Sequence, residues 1–157
     1  MEITLLGTGG ADWPNEPTEG FFRHHASILV NGKILVDPGP GIYEYANSLP
    51  GVDLSGLSAI FLTHTHPDHY STDTLEALIG KAKGPVTLYY HSGARPNLHL
   101  EERSSYGGGL SKGSLKKLTL KPLRRGQRVT VEKTSWLNLE ANHICDHGER
   151  GSHYIVS

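Results

Sequence analysis

Within six residues, His64-Thr65-His66-Pro67-Asp68-His69, the chain places three imidazoles and one carboxylate. On extended backbone, residues two apart project to the same side, so His64 and His66 can grip one ion. Pro67 breaks the extended run and turns the chain, carrying Asp68 and His69 toward a second position nearby. Neutral imidazole and carboxylate suit zinc, and also manganese or iron, so the residue types leave the element open. Polar side chains of this kind at the end of a buried strand leave costly unsatisfied groups unless they bind something. A bound ion of this class activates water for attack on carbon or phosphorus, and no protein nucleophile is then needed. The chain carries no serine or cysteine nucleophile motif.

The elements that must position this cluster are legible around it. Ser58–Thr63 is a continuous apolar run, the texture of a strand buried on both faces, and it leads directly into His64. A helix is expected over about residues 72–83, capped by Ser71 or Thr72, with Leu75, Leu78 and Ile79 as its apolar stripe. Upstream, Glu2–Leu6 reads as a strand stopped by Gly7-Thr8-Gly9-Gly10, and residues 11–20, with two prolines and three acids, as a loop. Ala26–Val30, Asn31-Gly32 and Lys33–Val36 spell a hairpin, because Asn-Gly supplies the two positive φ angles of a type I′ turn. Asp37-Pro38-Gly39-Pro40-Gly41 ends it and opens a short helix over residues 42–48. Pro85–His91 is a further strand, residues 93–113 are loop-rich, and strands are expected at 127–132, 136–142 and 152–156. Neither a repeat nor a linker divides the 157 residues, so one α/β domain is expected.

Composition narrows the setting. Apolar residues at 36%, charged residues at 20% and a mean hydropathy of −0.37 describe a water-soluble domain. No run approaches the roughly 18 apolar residues of a membrane span, and the N-terminus lacks a basic region ahead of an apolar one. A single cysteine, Cys145, excludes an internal disulfide framework and fits a reducing compartment, so a cytoplasmic location is expected. The net charge of −1 hides an asymmetry: Arg103–Val131 holds eight basic residues and no acidic one, leaving the remainder near −9. That stretch fits an anionic partner, and equally a solvated loop. Ten histidines are more than surface decoration supplies.

The run His64–His69 after an apolar strand resembles the signature of the metallo-β-lactamase-fold hydrolases. Leu6–Gly10 resembles the glycine turn that opens many members, and Ile34–Gly39 the strand and Asp-x-Gly turn ahead of the metal motif. Pro122–Gln127 and the strands after it resemble the approach to the next metal histidine, His143. The resemblance implies the αββα sandwich of that superfamily, with this chain as its N-terminal portion. It also implies one or two zinc ions, the first held by His64, His66 and His143 and the second by Asp68 and His69. Asp68 would double as the catalytic residue orienting the attacking water, and Asp37 would support the metal loop. Members continue through a bridging aspartate and a final histidine that should lie beyond Ser157, since Asp146 and His153 come too early. The domain is therefore expected to be incomplete at its C-terminus. Its second sheet would be lacking, an apolar face bared, and the chain prone to associate as a homo-oligomer or to aggregate.

The opening glycine turn resembles the phosphodiesterase and tRNA-processing branches, which makes a phosphodiester, RNA included, the expected substrate. Lactone and thioester hydrolases share the metal signature, and a non-catalytic metal- or nucleic-acid-binding half-domain is the reading from another class. Among the other candidates, His24 and His25 read as surface or as part of a substrate site, and His91 and His99 as surface or loop. His147 reads as near the mouth of the site, Cys145 as a small buried or mouth residue, and Tyr106–Gly109 as the tip of a mobile substrate loop.

Overall fold

The computed structural model describes residues 1–10, 24–145 and 148–157. The expectations for the 11–20 loop, Asp146 and His147 therefore lie outside the described residues. Asn31 and Gly32 adopt φ of 51° and 65°, the two left-handed positions that close a tight hairpin between β2 (Ser27–Val30) and β3 (Ile34–Val36). β1 (Ile3–Gly7) pairs antiparallel with β2. β3, β4 (Ala59–Phe61), β5 (Val86–His91) and β6 (Leu118–Leu123) then run parallel, giving one six-stranded sheet in chain order. Parallel neighbours need crossovers, and these contain α1 (Ile42–Ser48), α2 (Thr72–Lys81) and α3 (Lys112–Lys117). No described helix is long and apolar enough to cross a membrane.

Side-chain alternation splits the sheet residues into two cores. Leu35, Ile60, Leu62, Val86 and Leu88 pack with Ile42 and Ala46 of α1 and Leu75, Leu78 and Ile79 of α2. Val30, Ile34, Ala59 and Phe61 face the other way, onto Trp136 and Tyr154, with Phe61 stacked on the Trp136 ring at 4.0 Å. That second cover is an antiparallel sheet of β7 (Arg128–Val131), β8 (Thr134–Ile144) and β9 (Arg150–Val156). The expected bare face is thus corrected: the chain supplies three strands of the second sheet itself. Among the described residues, the β1 edge stays open on that side. Ile3 and Leu5 lie opposite Val30 and Ile28, on the face that looks toward the second sheet, and are 51% and 62% exposed.

Three local expectations also change. α2 ends at Lys81 rather than residue 83, because Ala82 is extended (ψ 133°) and the Lys117 ammonium donates to the Ile79 and Ala82 carbonyls. Helix α3 starts at Lys112, inside the stretch 93–113 expected to be loop-rich, and with strand β6 it adds elements where none was expected. The Tyr106–Gly109 tip is anchored rather than free. The Tyr106 carbonyl accepts from Thr72 N at 2.7 Å, and Gly108 N donates to Asp73 Oδ1 at 2.8 Å.

Candidate metal centre

The cluster forms where β4 ends, at the carboxyl edge of the parallel strands, the usual place for a site in an open α/β sheet. After Pro67 the chain folds back, with the N–H groups of His69 and Tyr70 both donating to the His66 carbonyl at 2.9 Å. The loop is held from three sides. Asp37, in a left-handed conformation (φ 59°), accepts from Thr63 N and Thr63 Oγ1, each at 2.7 Å. Gly39 lies so close to the Asp68 carbonyl that a Cβ there would collide with it. From the second sheet, Ser152 N donates to the Thr63 carbonyl at 2.6 Å and the Tyr154 hydroxyl to the Leu62 carbonyl at 2.9 Å.

Two donor sets result. One ligand atom from each of His64, His66 and His143 lies within 4.8 Å of the other two, and the same holds for His64, Asp68 and His69. His143 Nε2 and His66 Nδ1 are 3.1 Å apart. Tetrahedral zinc with bonds of 2.0–2.1 Å separates neighbouring nitrogens by about 3.3 Å, so the first set fits such an ion. His143 lies within β8 rather than after it. The β8–β9 register slips between Glu140 and Ile144, and His143 sits in that irregular stretch. His69 Nδ1 meets Asp37 Oδ2 at 2.8 Å, and its Nε2 is 3.2 Å from Asp68 Oδ2. A cavity of about 420 Å³ over the cluster is lined by Asp37, Thr63, His64, His69, Ala141, Asn142, His143, Ser152 and His153.

The electrostatics suit ligation. Burial, followed by the neighbouring His69, His143 and His66, lowers the His64 pKa to about 3, so its ring is neutral at pH 7 and its lone pair available. Burial opposes charge on His69, but the hydrogen bond and charge of Asp37, with Asp68, raise its pKa overall. Asp37 is pushed up by burial, against the pull of His69 and Thr63.

None of the other described histidines belongs to either donor set. His24 packs against Tyr45 with the rings tilted and 4.1 Å apart, while His25 is buried with its Cβ beside Gly39. His91 is buried on β5 rather than in a surface loop, and Gly93 N donates to its Nδ1. His99 packs against Tyr106 at 4.0 Å, and Cys145 is buried. His153, set aside from sequence, lines the cavity. Glu149 carried no sequence signal at all. Its buried carboxylate accepts through Oε2 from Thr65 Oγ1 at 2.8 Å and from Arg95 N at 3.0 Å, so it grips the metal loop between His64 and His66.

The chain is similar to known proteins. A Beta-lactamase superfamily domain model matches residues 32–151. An uncharacterized protein of Methanocaldococcus jannaschii is 38% identical over 74 residues, which are 45% of this chain and 26% of that protein. A ribonuclease Z of Mycobacterium bovis is 43% identical over 72 residues, 44% of this chain and 23% of that protein. The chain thus spans about a quarter of the length of these curated relatives. The metallo-β-lactamase fold protein YhfI of Bacillus subtilis superposes with a TM-score of 0.64 at 15% identity, covering 99% of this chain and 57% of YhfI. A family match over most of the residues, on strands and helices that follow the same fold from end to end, makes this chain a member of the metallo-β-lactamase superfamily.

Proposed function

We propose that this chain carries the metal site of a hydrolase and that its substrate is a phosphodiester. One observation carries the reading: two donor sets share His64 at the carboxyl edge of the sheet, under an open cavity. His64, His66 and His143 would hold one divalent ion, zinc suiting the nitrogen set best, and Asp68 and His69 a second. Such an ion, when bound, supplies Lewis acidity and brings the pKa of water toward neutrality. The chain's own residues do the rest. Asp37 accepts the Nδ1–H of His69, which fixes the ring and leaves Nε2 for ligation. Asp68, whose carboxylate lies beside that Nε2, orients the attacking water and accepts its proton. The ribonuclease Z relative, together with the basic stretch Arg103–Val131, favours a phosphodiester, RNA included, over a lactone or thioester.

The test combines metal analysis with turnover. Protein purified without chelator should contain zinc or another transition metal, and should hydrolyse bis(p-nitrophenyl) phosphate or RNA until chelator removes the ion. Ester or thioester turnover without phosphodiester turnover would replace the substrate class. Metal binding with no turnover of any of the three would leave a binding module.

A further inference from the structure

Beside the cavity over the histidines lies a second, smaller groove of about 250 Å³, lined by Arg125, Glu140, Ala141, Asn142 and Arg150. Ala141 and Asn142 line both spaces, so the groove opens from the wall that carries His143. Its two guanidiniums come from separate parts of the fold. Arg125 belongs to the turn between β6 and β7, where the acid-free basic stretch reaches the site, and Arg150 begins β9. The stem of Arg150 is seated. A Cβ on Gly93 would stand 3.0 Å from Arg150 Cγ and 3.1 Å from its Cβ, so the absence of a side chain there makes room for it. The Arg150 backbone N–H also donates to the Gly93 carbonyl at 3.4 Å. Among the described residues, the ion pair of the charged end runs from Nη1 of Arg150 to Glu140 Oε1 at 3.2 Å. Arg125 has no carboxylate partner among the described residues.

Two guanidiniums against one carboxylate leave the groove net positive, and an ion pair that engages one nitrogen leaves most of the Arg150 fork free. Planar forks of this kind match the oxygens of a phosphate. We propose that the groove is a phosphate subsite: it holds, through Arg125 and Arg150, a phosphate of the substrate strand next to the one at the histidine cluster. Glu140 keeps Arg150 in place until that phosphate arrives. The inference rests on the phosphodiester reading and deepens it, since it makes the substrate a strand with more than one phosphate.

The probes are adenosine 5′-monophosphate and adenosine 3′,5′-bisphosphate, neither of which contains a diester to hydrolyse. Their binding to the zinc-loaded chain is measured by calorimetry. The bisphosphate should bind about ten-fold more tightly than the monophosphate, the scale of a charge-assisted hydrogen bond. Its log affinity should also fall more steeply with log salt. Arg125→Gln and Arg150→Gln should each remove most of that preference while leaving monophosphate affinity unchanged. Glu140→Gln, which releases Arg150, should tighten the bisphosphate further, a gain that a folding defect cannot produce. Equal affinity for the two nucleotides, or a preference that survives both arginine substitutions, overturns the subsite alone. Binding of neither nucleotide overturns the phosphodiester reading and the subsite with it.

Discussion

Glu149 offers the most direct test of how the metal loop is held. Its carboxylate is 5% exposed, and one oxygen receives both the Thr65 hydroxyl and the Arg95 N–H. Thr65 is itself 3% exposed and stands between His64 and His66. Glu149→Ala deletes a charged acceptor and strands two donors, where a hydrogen bond to a charged group contributes about 1.5–3 kcal/mol. Release of the buried carboxylate from its own desolvation offsets part of that, so the net loss should be about 2–3 kcal/mol. At about 2–4 °C per kcal/mol for a domain near this size, the melting temperature of the metal-free chain should fall by roughly 4–12 °C. Residues that orient ligands also set affinity, so cobalt or zinc should bind roughly 10–100-fold more weakly. Glu149→Gln, which can keep an oxygen in the same place, should recover most of both losses. The cobalt absorption spectrum separates positioning from mere stability, because a loosened His64–His66 pair changes its band shape. Unchanged metal affinity and spectrum in the alanine variant would refute a positioning role, whatever happened to the melt.

Three further outcomes are expected. Asp68→Ala should lower phosphodiester turnover by about 10²–10⁴-fold while one metal per chain remains on His64, His66 and His143, as read by elemental analysis. Gly39→Ala places a Cβ against the Asp68 carbonyl, so the loop must shift, and weaker occupancy of the second metal position should appear before any loss at the first. The His64 pKa, near 3 when folded against an ordinary 6.5, means that between these values the unfolded chain binds the extra proton. The metal-free protein should therefore lose stability from this group as pH falls below 6.5. His69, whose pKa is raised, acts in the opposite sense. His64→Gln should flatten the acid side of the melting profile between pH 7 and 4, and an unaltered slope would show that His64 is not held neutral.

The juxtaposition of His64 and His66, the turn at Pro67, the strand before them and the capped helix after them were legible in the sequence. The reason is that their geometry is local: extended backbone puts alternate residues on one side, and Ser71 caps within its own turn. The Asn31-Gly32 hairpin is local in the same way. No strand was expected at β6, whose Lys121 and Pro122 are poor strand formers, yet β6 is the last strand of its sheet, where lysine and proline are tolerated. The turn at Glu132 and Lys133 closes the β7–β8 hairpin with positive φ at two residues that do not advertise it. Residue spacing alone named none of the partners that come from far along the chain: His143 was named only through the family resemblance, and Glu149 and Arg150 were not named at all. Phe61 buries against Trp136, and that packing carries β8 and β9 beneath the metal loop, bringing His143 to His66, Glu149 to Thr65 and Arg150 beside Glu140. Each of these pairings except the last spans more than seventy residues, and the stretch bearing His143 departs from regular strand register. A period of two or 3.6 residues reports which face an element buries. It holds no information on which distant side chain the opposite layer will deliver there.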